Sequence, residues 1–306
     1  MLEPQLSLRR LEIFRLVVEE QSVTRAAEVL MVAQPAVSSQ LRSLEAWLGA
    51  KLFLRQGNQL VLTEAGHRAD VWAKSVLASA AEIRRDVDGI ESGTGGMVVL
   101  AASMGVGTYL LPRLLTGFRE DHDGADITLN ITQPLEALRQ VEAGEADFAV
   151  TSWDASDLPA TTLAELLRDE PMQIVVRSDL LPAGGTLSLE EALQLPLVGT
   201  PRGVASQIGV LSQLRAVTDT EPNFVIRLGH AMPAKQAVVD HGWAAIAPRY
   251  VVDEDIAAGI LATIDVPGLS LHERIVLVWR QDKTFSRLQS ALKTMVRNEL
   301  GSDPEG

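Results

Sequence analysis

The chain has 306 residues, with 27 Lys and Arg, 40 Asp and Glu, and a net charge of -13. This length predicts two or three domains with a sizeable core, and no apolar run approaches the roughly 18 residues that cross a bilayer. The absence of cysteine excludes disulfides and thiolate metal sites, and the five scattered histidines lack metal-binding spacing, so we expect no metal site. The N-terminal residues do not resemble a signal peptide, which predicts a cytoplasmic protein.

The negative charge is concentrated in the C-terminal two thirds of the chain. Residues 1–92 hold 11 basic and 12 acidic side chains, whereas residues 93–306 hold 16 and 28. A local basic face near the N-terminus is therefore compatible with the acidity of the whole chain.

The stretch SVTRAAEVLMVAQPAVSSQLRSLEAWLG, residues 22–49, predicts two helices after a first helix that contains LRRLEIFRLVVEE. The connection LMVAQP is too short for a relaxed loop, which predicts steeply crossing helices in a helix-turn-helix. Pro35 suits the first turn of a helix, so the third helix is predicted to begin at about Gln34. Its inward face is lined by residues at steps of four, three and four: Val37, Leu41, Leu44 and Leu48.

The outward face of this third helix carries short or forked hydrogen-bonding side chains: Gln34, Ser38, Ser39 and Arg42. They lie near the helix N-terminus, the end that enters the major groove in this motif. Gln34 can pair with an adenine edge and Arg42 with a guanine or a phosphate, while Arg25 and Arg55 are placed to hold phosphates. For any one of these residues, above all Ser39 and Arg25, an ordinary solvated helix face is the alternative.

The stretch LFLRQGNQLVLTEAG predicts a hairpin with a polar tip, followed by a long helix that Thr63 caps and that begins near Glu64. Small or β-branched residues recur along this helix at alternating steps of four and three, which predicts a dimerisation seam. The alternative is a helix that lies on its own domain. The seam residues are Ala69, Ala73, Val76, Ala80, Ile83, Val87 and Ile90.

Glycines at 93, 95 and 96 predict a hinge before an α/β region. Strands are predicted at about 97–102, 126–132, 147–151, 172–177, 224–228, 243–247 and 275–279, with helices between them at 108–119, 135–143, 189–193, 204–216 and 234–240 and a last one at 285–298. This alternation predicts two half-domains built on a mostly parallel sheet with helices on both faces. The final helix is expected to return to the first half.

The N-terminal motif TRAAEVLMVAQPAVSSQLRSLEAWLGAKLFLRQGNQLVLTEAG, with the long helix and α/β region after it, resembles the LysR-type transcriptional regulators over essentially the full length. The resemblance implies a winged helix-turn-helix at 1–63, a linker helix at 64–92 and a two-lobed effector domain at 93–306, similar to solute-binding proteins. Lobe I would comprise about 96–165 and 268–306, and lobe II about 166–267. The family's recognition positions fall on Gln34, Pro35, Ser38, Ser39 and Arg42, and its wing arginine falls on Arg55.

The resemblance also implies partners. They are double-stranded promoter DNA, a second copy of the chain in a homodimer that often pairs into a tetramer, a small-molecule inducer and, as an open point, RNA polymerase. Ser39 departs from the arginine that many members carry, and the wing tip QGNQ adds no further basic residue. We therefore expect weaker phosphate attraction than is usual, with more of the affinity coming from avidity.

Ligands of open α/β sheets bind beyond the carboxyl ends of the strands. Hydroxyls and helix N-termini that meet there predict a site for a small anion, typically a carboxylate. Arg202 could neutralise this anion, and His230 could face the cleft or merely pair with backbone. The predicted effector contacts are Ser103, Met104, Thr132, Thr151, Thr200, Arg202 and His230.

An α/β region of this kind also occurs in enzymes and in solute-binding proteins. An enzyme would require a nucleophile elbow, a phosphate loop or a dinucleotide fingerprint, and the sequence contains no GxSxG, GxxxxGK or strand-led GxGxxG. A plain solute-binding module would not need the N-terminal 90 residues. The sequence therefore predicts a regulator that is not an enzyme and has no cofactor, but that responds to a small-molecule effector.

Overall fold

The computed structural model describes residues 6–56, 59–91, 96–153 and 158–301. Within these ranges the chain forms eleven α-helices and eleven β-strands. They divide into two compact units, one of Met1–Asp88 with Glu142–Glu145 and one of Gly89–Val141 with Ala146–Gly306. None of the described helices combines the length and the hydrophobicity that a bilayer crossing requires.

The first unit contains the helix-turn-helix and a two-stranded hairpin. Its elements are α1 (Leu8–Glu20), α2 (Val23–Val29), α3 (Gln34–Leu48), β1 (Phe53–Gln56), β2 (Gln59–Leu62) and α4 (Glu64–Glu91). The predicted start of α3 at Gln34 is confirmed, and so is the cap of α4, where the backbone N–H of Gly66 donates to Thr63 Oγ1 at 2.8 Å. Gly66 is required here, because a Cβ atom at this position would lie 2.1 Å from the carbonyl oxygen of Leu52.

One core joins the three short helices, the hairpin and the start of α4. The predicted inward residues Val37, Leu41 and Leu44 are buried, and Leu48 packs against the same cluster. The other large buried residues of this core are Leu11, Ile13, Phe14, Val17 and Leu52. Arg15 Nη1 contacts Asp70 Oδ1 at 2.5 Å, so an ion pair also ties α1 to α4.

The predicted dimerisation seam of α4 needs correction in its first half. Ala69 and Ala73 are buried in the core of their own unit, and Val76 packs against that core. Ala69 and Ala73 have little or no surface left for a partner, so the alternative of a helix lying on its own domain applies to them. Farther along, Ala80 is half-buried, whereas Ile83 and Val87 are 60% and 44% exposed. The Ile90 side chain lies outside the described residues.

The second unit is built on one mixed sheet with strand order β4-β3-β5-β11-β6-β9-β7-β8, and β10 pairs with β6 outside this path. The strands are β3 (Gly96–Ser103), β4 (Ala125–Thr132), β5 (Phe148–Ser152), β6 (Thr162–Arg177), β7 (Leu197–Gly199), β8 (Phe224–Arg227), β9 (Ala244–Pro248), β10 (Leu261–Ile264) and β11 (Leu271–Arg280). The prediction of a mostly parallel sheet is wrong, because the long strands β6 and β11 are antiparallel to each other and to their outer neighbours. Strands β7 and β10 were not predicted.

Seven helices flank this sheet in the described part of the second unit: α5 (Leu111–Asp121), α6 (Pro134–Glu142), α7 (Leu189–Gln194), α8 (Ala205–Arg215), α9 (Ala231–His241), α10 (Arg249–Ala257) and α11 (Arg287–Leu300). A single π-helical turn, Val106–Leu110, precedes α5, and α10 was not predicted. A capping box of Ser188 and Glu191 fixes the start of α7. The return of the last helix is confirmed, because Leu292 and Val296 share a core with Val98 and Phe148 of β3 and β5.

Candidate DNA-contacting surface and effector cavity

The α3 helix presents the predicted recognition residues on its exposed side. Pro35 occupies the first turn, and Gln34 Nε2 donates to Ser38 Oγ at 2.8 Å, so the two side chains are fixed relative to each other. Gln34, Ser39 and Arg42 are exposed and Ser38 is half-buried, while the neighbouring Val37 and Leu41 are buried. The core therefore fixes which side of α3 is available to a DNA groove.

The N-terminus of α3 carries a feature that was not predicted. Ala33 is the N-cap residue, and the helix has no side-chain capping hydrogen bond. Ser, Thr, Asp or Asn at this position would accept a hydrogen bond from the first turn. Pro35 has no N–H, and the Ala36 N–H donates to the Ala33 carbonyl oxygen at 2.9 Å. The first turn therefore has no acceptor from a side chain, and its positive end is open to a phosphate group. The sequence signal was an alanine, Ala33, immediately before the predicted helix start at Gln34, where a capping residue such as serine is usual.

The two predicted phosphate-holding arginines differ in their surroundings. Arg25 Nη2 donates to the backbone oxygen of Glu20 at 2.5 Å, and its Nε lies 3.8 Å from Glu20 Oε2. Arg55 is exposed on β1, opposite Leu60 of β2. Gly57 and Asn58 of the predicted wing tip lie outside the described residues. Arg55 is thus the better placed of the two arginines to contact a phosphate.

The second unit contains a cavity of about 140 Å³ beyond the ends of several strands. Four predicted effector residues line it: Ser103, Met104, Thr200 and His230. Most of the other lining residues are apolar, among them Val175, Val198, Val210, Phe224, Leu228 and Val251. This cavity is the concave, mainly apolar kind of site that receives small molecules.

Three predicted effector contacts are not at the cavity. Thr151 is fully buried in the sheet and Ser152 lines the cavity instead, because successive strand residues face opposite sides. Thr132 ends β4 and is followed by the lining residues Gln133 and Pro134, so the prediction fell one position short. Arg202 is exposed on a turn and does not line the cavity.

The polar groups of the wall are held by neighbouring side chains. The N–H and hydroxyl of Thr200 both donate to Gln207 Oε1 at 2.9 Å. The backbone N–H of Ser152 donates to Ser103 Oγ at 3.2 Å. His230 caps α9 by accepting a hydrogen bond from the Met232 N–H on its Nδ1 at 3.1 Å. Because Nδ1 accepts this hydrogen bond, the proton of the neutral imidazole lies on Nε2, which is then an N–H donor.

Glu273 of β11 lines the cavity, and its register partner Glu170 of β6 is buried beside it; sequence analysis missed both glutamates. Tyr250 Oη donates to Glu273 Oε2 at 2.9 Å, and the Tyr250 backbone N–H donates to Glu170 Oε1 at 3.1 Å. Burial raises the pKa of both glutamates, and burial also raises the pKa of Tyr250 well above its ordinary value. The sequence signals were charged residues inside apolar strands, in LHERIVLVW and LRDEPMQIVV.

The only lysine among the described lining residues is already neutralised. Lys235 Nζ lies 2.5 Å from Asp255 Oδ2, and it also sits 5.1 Å from the ring centre of Tyr109. Glu273 is therefore the ionisable side chain that sets the charge of the cavity wall.

Comparison with known proteins gives consistent matches over both units. The family described as "Bacterial regulatory helix-turn-helix protein, lysR family" matches residues 8–67, and the "LysR substrate binding domain" family matches residues 91–301. The RuBisCO operon transcriptional regulator of Allochromatium vinosum is 28% identical over 300 residues, which cover 96% of each chain.

Solved structures share the fold. ArgP from Mycobacterium tuberculosis has a TM-score of 0.63 and 18% identity, covering 97% of this chain and 98% of that one. CbnR in complex with its target DNA has a TM-score of 0.57 and 21% identity, covering 97% and 100%. Together the two family matches cover most of the chain. The helix-turn-helix lies within the first match, and the cavity residues lie within the second. The chain belongs to the LysR family of transcriptional regulators, with an N-terminal DNA-binding domain and a C-terminal domain that binds a small molecule.

Proposed function

We propose that this regulator binds promoter DNA as a homodimer through α3 and the hairpin, and that a small molecule in the second unit's cavity changes this binding. The observation that carries the proposal is the row of Gln34, Ser38 and Arg42 on α3, which lies beside the buried residues Val37, Leu41 and Leu44 and in which Gln34 and Arg42 are exposed. Such a surface on a helix-turn-helix contacts base edges in the major groove.

The side chains divide into two roles. Gln34 would contact a base edge, where a good pairing contributes about 1–3 kcal/mol of discrimination. Arg42 and Arg55 would hold phosphates, which fixes the register on the duplex without selecting a sequence. Arg25, which is bound to Glu20, has the weaker claim of the arginines.

Gel-shift and fluorescence-anisotropy measurements with neighbouring intergenic DNA would test this division. We expect Gln34→Ala to reduce the preference for the cognate site over scrambled DNA and Arg55→Ala to weaken binding to both alike. Arg68→Gln removes an exposed charge from α4 and is the matched control. Wild-type protein that binds cognate and scrambled DNA equally would contradict the proposal.

The dimer is proposed to form along the later turns of α4. Ile83 and Val87 are exposed apolar residues four positions apart, which share one side of a helix. Pairing of two such helices would bury these side chains, and two recognition helices would then act together on a two-fold site. Assembly into a tetramer and contact with RNA polymerase are further proposals that follow from the family alone.

The cavity is proposed to bind an effector rather than to catalyse a reaction. The Nδ1 of His230 caps a helix, and the Thr200 hydroxyl is held by Gln207, which are binding-site arrangements rather than a nucleophile paired with its base. We propose that no cofactor is needed and that the protein acts in the cytoplasm, because it works on DNA. A metabolite screen by thermal shift would test this, since an effector should raise the melting temperature and also change the affinity for DNA.

A further inference from the structure

We propose that the effector presents a hydrogen-bond donor, best an ammonium group, to the carboxylate of Glu273, which makes Glu273 the specificity-determining residue of the cavity. The inference rests on the proposed effector function of this cavity. It replaces the anionic effector expected from the sequence, because Arg202, the cation behind that expectation, does not line the cavity.

The first step is the charge balance of two paired strands. Glu273 of β11 stands directly across from Glu170 of β6 in the antiparallel register. Like charges at such positions destabilise a sheet. Arg168 Nε lies 2.7 Å from Glu170 Oε2 and compensates that carboxylate. Among the described residues, no lysine or arginine forms an ion pair with Glu273.

The second step concerns the hydrogen bonds that Glu273 makes. Tyr250 Oη donates to it at 2.9 Å. Burial raises the pKa of Glu273, and the hydroxyls of Tyr250 and Ser152 act on that pKa in the lowering direction. A carboxylate offers about four lone-pair sites. The side chain lines the cavity, so its unused acceptor capacity is open to a ligand. Both neighbours thus arrange Glu273 as an acceptor.

The third step is the energetic reason for such a residue. A carboxylate in a mainly apolar wall costs stability unless a counter-charge or donor reaches it. Functional sites retain such unfavourable groups because the ligand supplies the missing interaction. The neighbouring cation, Lys235, is already paired with Asp255, so it does not compensate Glu273. A cationic ligand would compensate Glu273, whereas an anionic ligand would add negative charge beside Glu273 and its neighbour Glu170.

The remaining wall defines the size of the ligand. A volume of about 140 Å³ is close to that of cavities of roughly 150 Å³ that bind benzene. Apolar side chains supply most of the surface. The favoured ligand is therefore a compact molecule with an apolar body and one ammonium or hydroxyl group.

Three probes with the same phenyl body test the inference on the full-length protein: benzylamine, benzyl alcohol and benzoate, each titrated by calorimetry at pH 7.5. We expect benzylamine to bind most tightly and at least about tenfold more tightly than benzoate, since a charge-assisted hydrogen bond discriminates to this extent. In Glu273→Gln the advantage of the amine over the alcohol should disappear. Glu190→Gln, an exposed glutamate on α7, is the control and should keep it.

Melting of the unliganded protein is the second measurement. If Glu273 is an uncompensated charge kept for a ligand, Glu273→Gln should melt at a higher temperature than wild type. A lower melting temperature would indicate a structural partner of Tyr250 and would overturn the inference. The inference is equally overturned if wild type binds benzoate as tightly as benzylamine, or fails to bind benzylamine.

The proposed function is checked separately in the same preparations. Wild type and the control Glu190→Gln should both prefer cognate over scrambled DNA, because Glu190 lies outside α3 and outside the cavity. If wild type binds cognate and scrambled DNA equally, the proposed function is refuted, and the result says nothing about ligand selectivity. A wrong ligand preference with normal DNA binding would refute the inference alone.

Discussion

The salt dependence of DNA binding follows from the few cations that the first unit can offer. Arg42 and Arg55 are exposed on the proposed DNA surface, whereas Arg25 is bound to Glu20 and Arg15 to Asp70. If each exposed arginine neutralises one phosphate, a dimer neutralises about four, and log K falls with log salt at a slope of about -3.6. Raising the salt from about 50 to about 200 mM should then weaken wild-type binding about 150-fold.

Arg55→Ala should halve this slope. The dimer would keep about two phosphate contacts, so the same change of salt should weaken binding only about 12-fold. Anisotropy titrations at four or five salt concentrations measure the slope directly, with Arg68→Gln as the charge-matched control that should keep the wild-type value. An unchanged slope in Arg55→Ala would refute the assignment of the hairpin arginine to a phosphate.

Three further predictions concern stability and assembly. Ala33→Ser should stabilise the protein against urea by about 1 kcal/mol, because serine would supply the side-chain cap that α3 lacks. A loss of stability would contradict this account of the helix start. Burial raises the pKa of Glu170 and Glu273, so the folded state holds their protons more tightly than the unfolded chain does. Stability should therefore fall as pH rises from the ordinary glutamate pKa through the raised values. Glu273→Gln should flatten that fall in pH-dependent melting curves, and a curve parallel to wild type would count against it. Ile83→Asp with Val87→Asp should reduce the mass measured by light scattering toward that of a monomer; an unchanged mass would place the dimer contact elsewhere.

The helix-turn-helix could be predicted from the sequence because its signals are local. Pro35 and the spacing of Val37, Leu41 and Leu44 fix both the start and the buried side of α3. The first half of the predicted seam on α4 was wrong because a heptad pattern shows that one side of a helix is covered, but not which surface covers it. Ala69 and Ala73 meet their own core.

The cavity was harder to predict because it depends on strand pairing. Ser103 and Thr200 follow recognisable strands and were found. Thr151 was chosen in place of Ser152, since the sequence does not fix which side of a buried strand faces a cleft. Glu273 was missed because its significance arises from its register partner, Glu170, more than 100 positions earlier in the chain.

Tyr250 connects the paired glutamates Glu273 and Glu170 to other elements of the second unit. Its hydroxyl binds Glu273 of β11, and its backbone binds Glu170 of β6. A Cβ atom on Gly105, just before the π-helical turn, would lie 2.7 Å from the same hydroxyl. A donor from the effector would share the Glu273 carboxylate with this hydroxyl. Occupation of the cavity would therefore alter the surroundings of Tyr250, the α10 residue that contacts β6, β11 and the glycine before the π-helical turn.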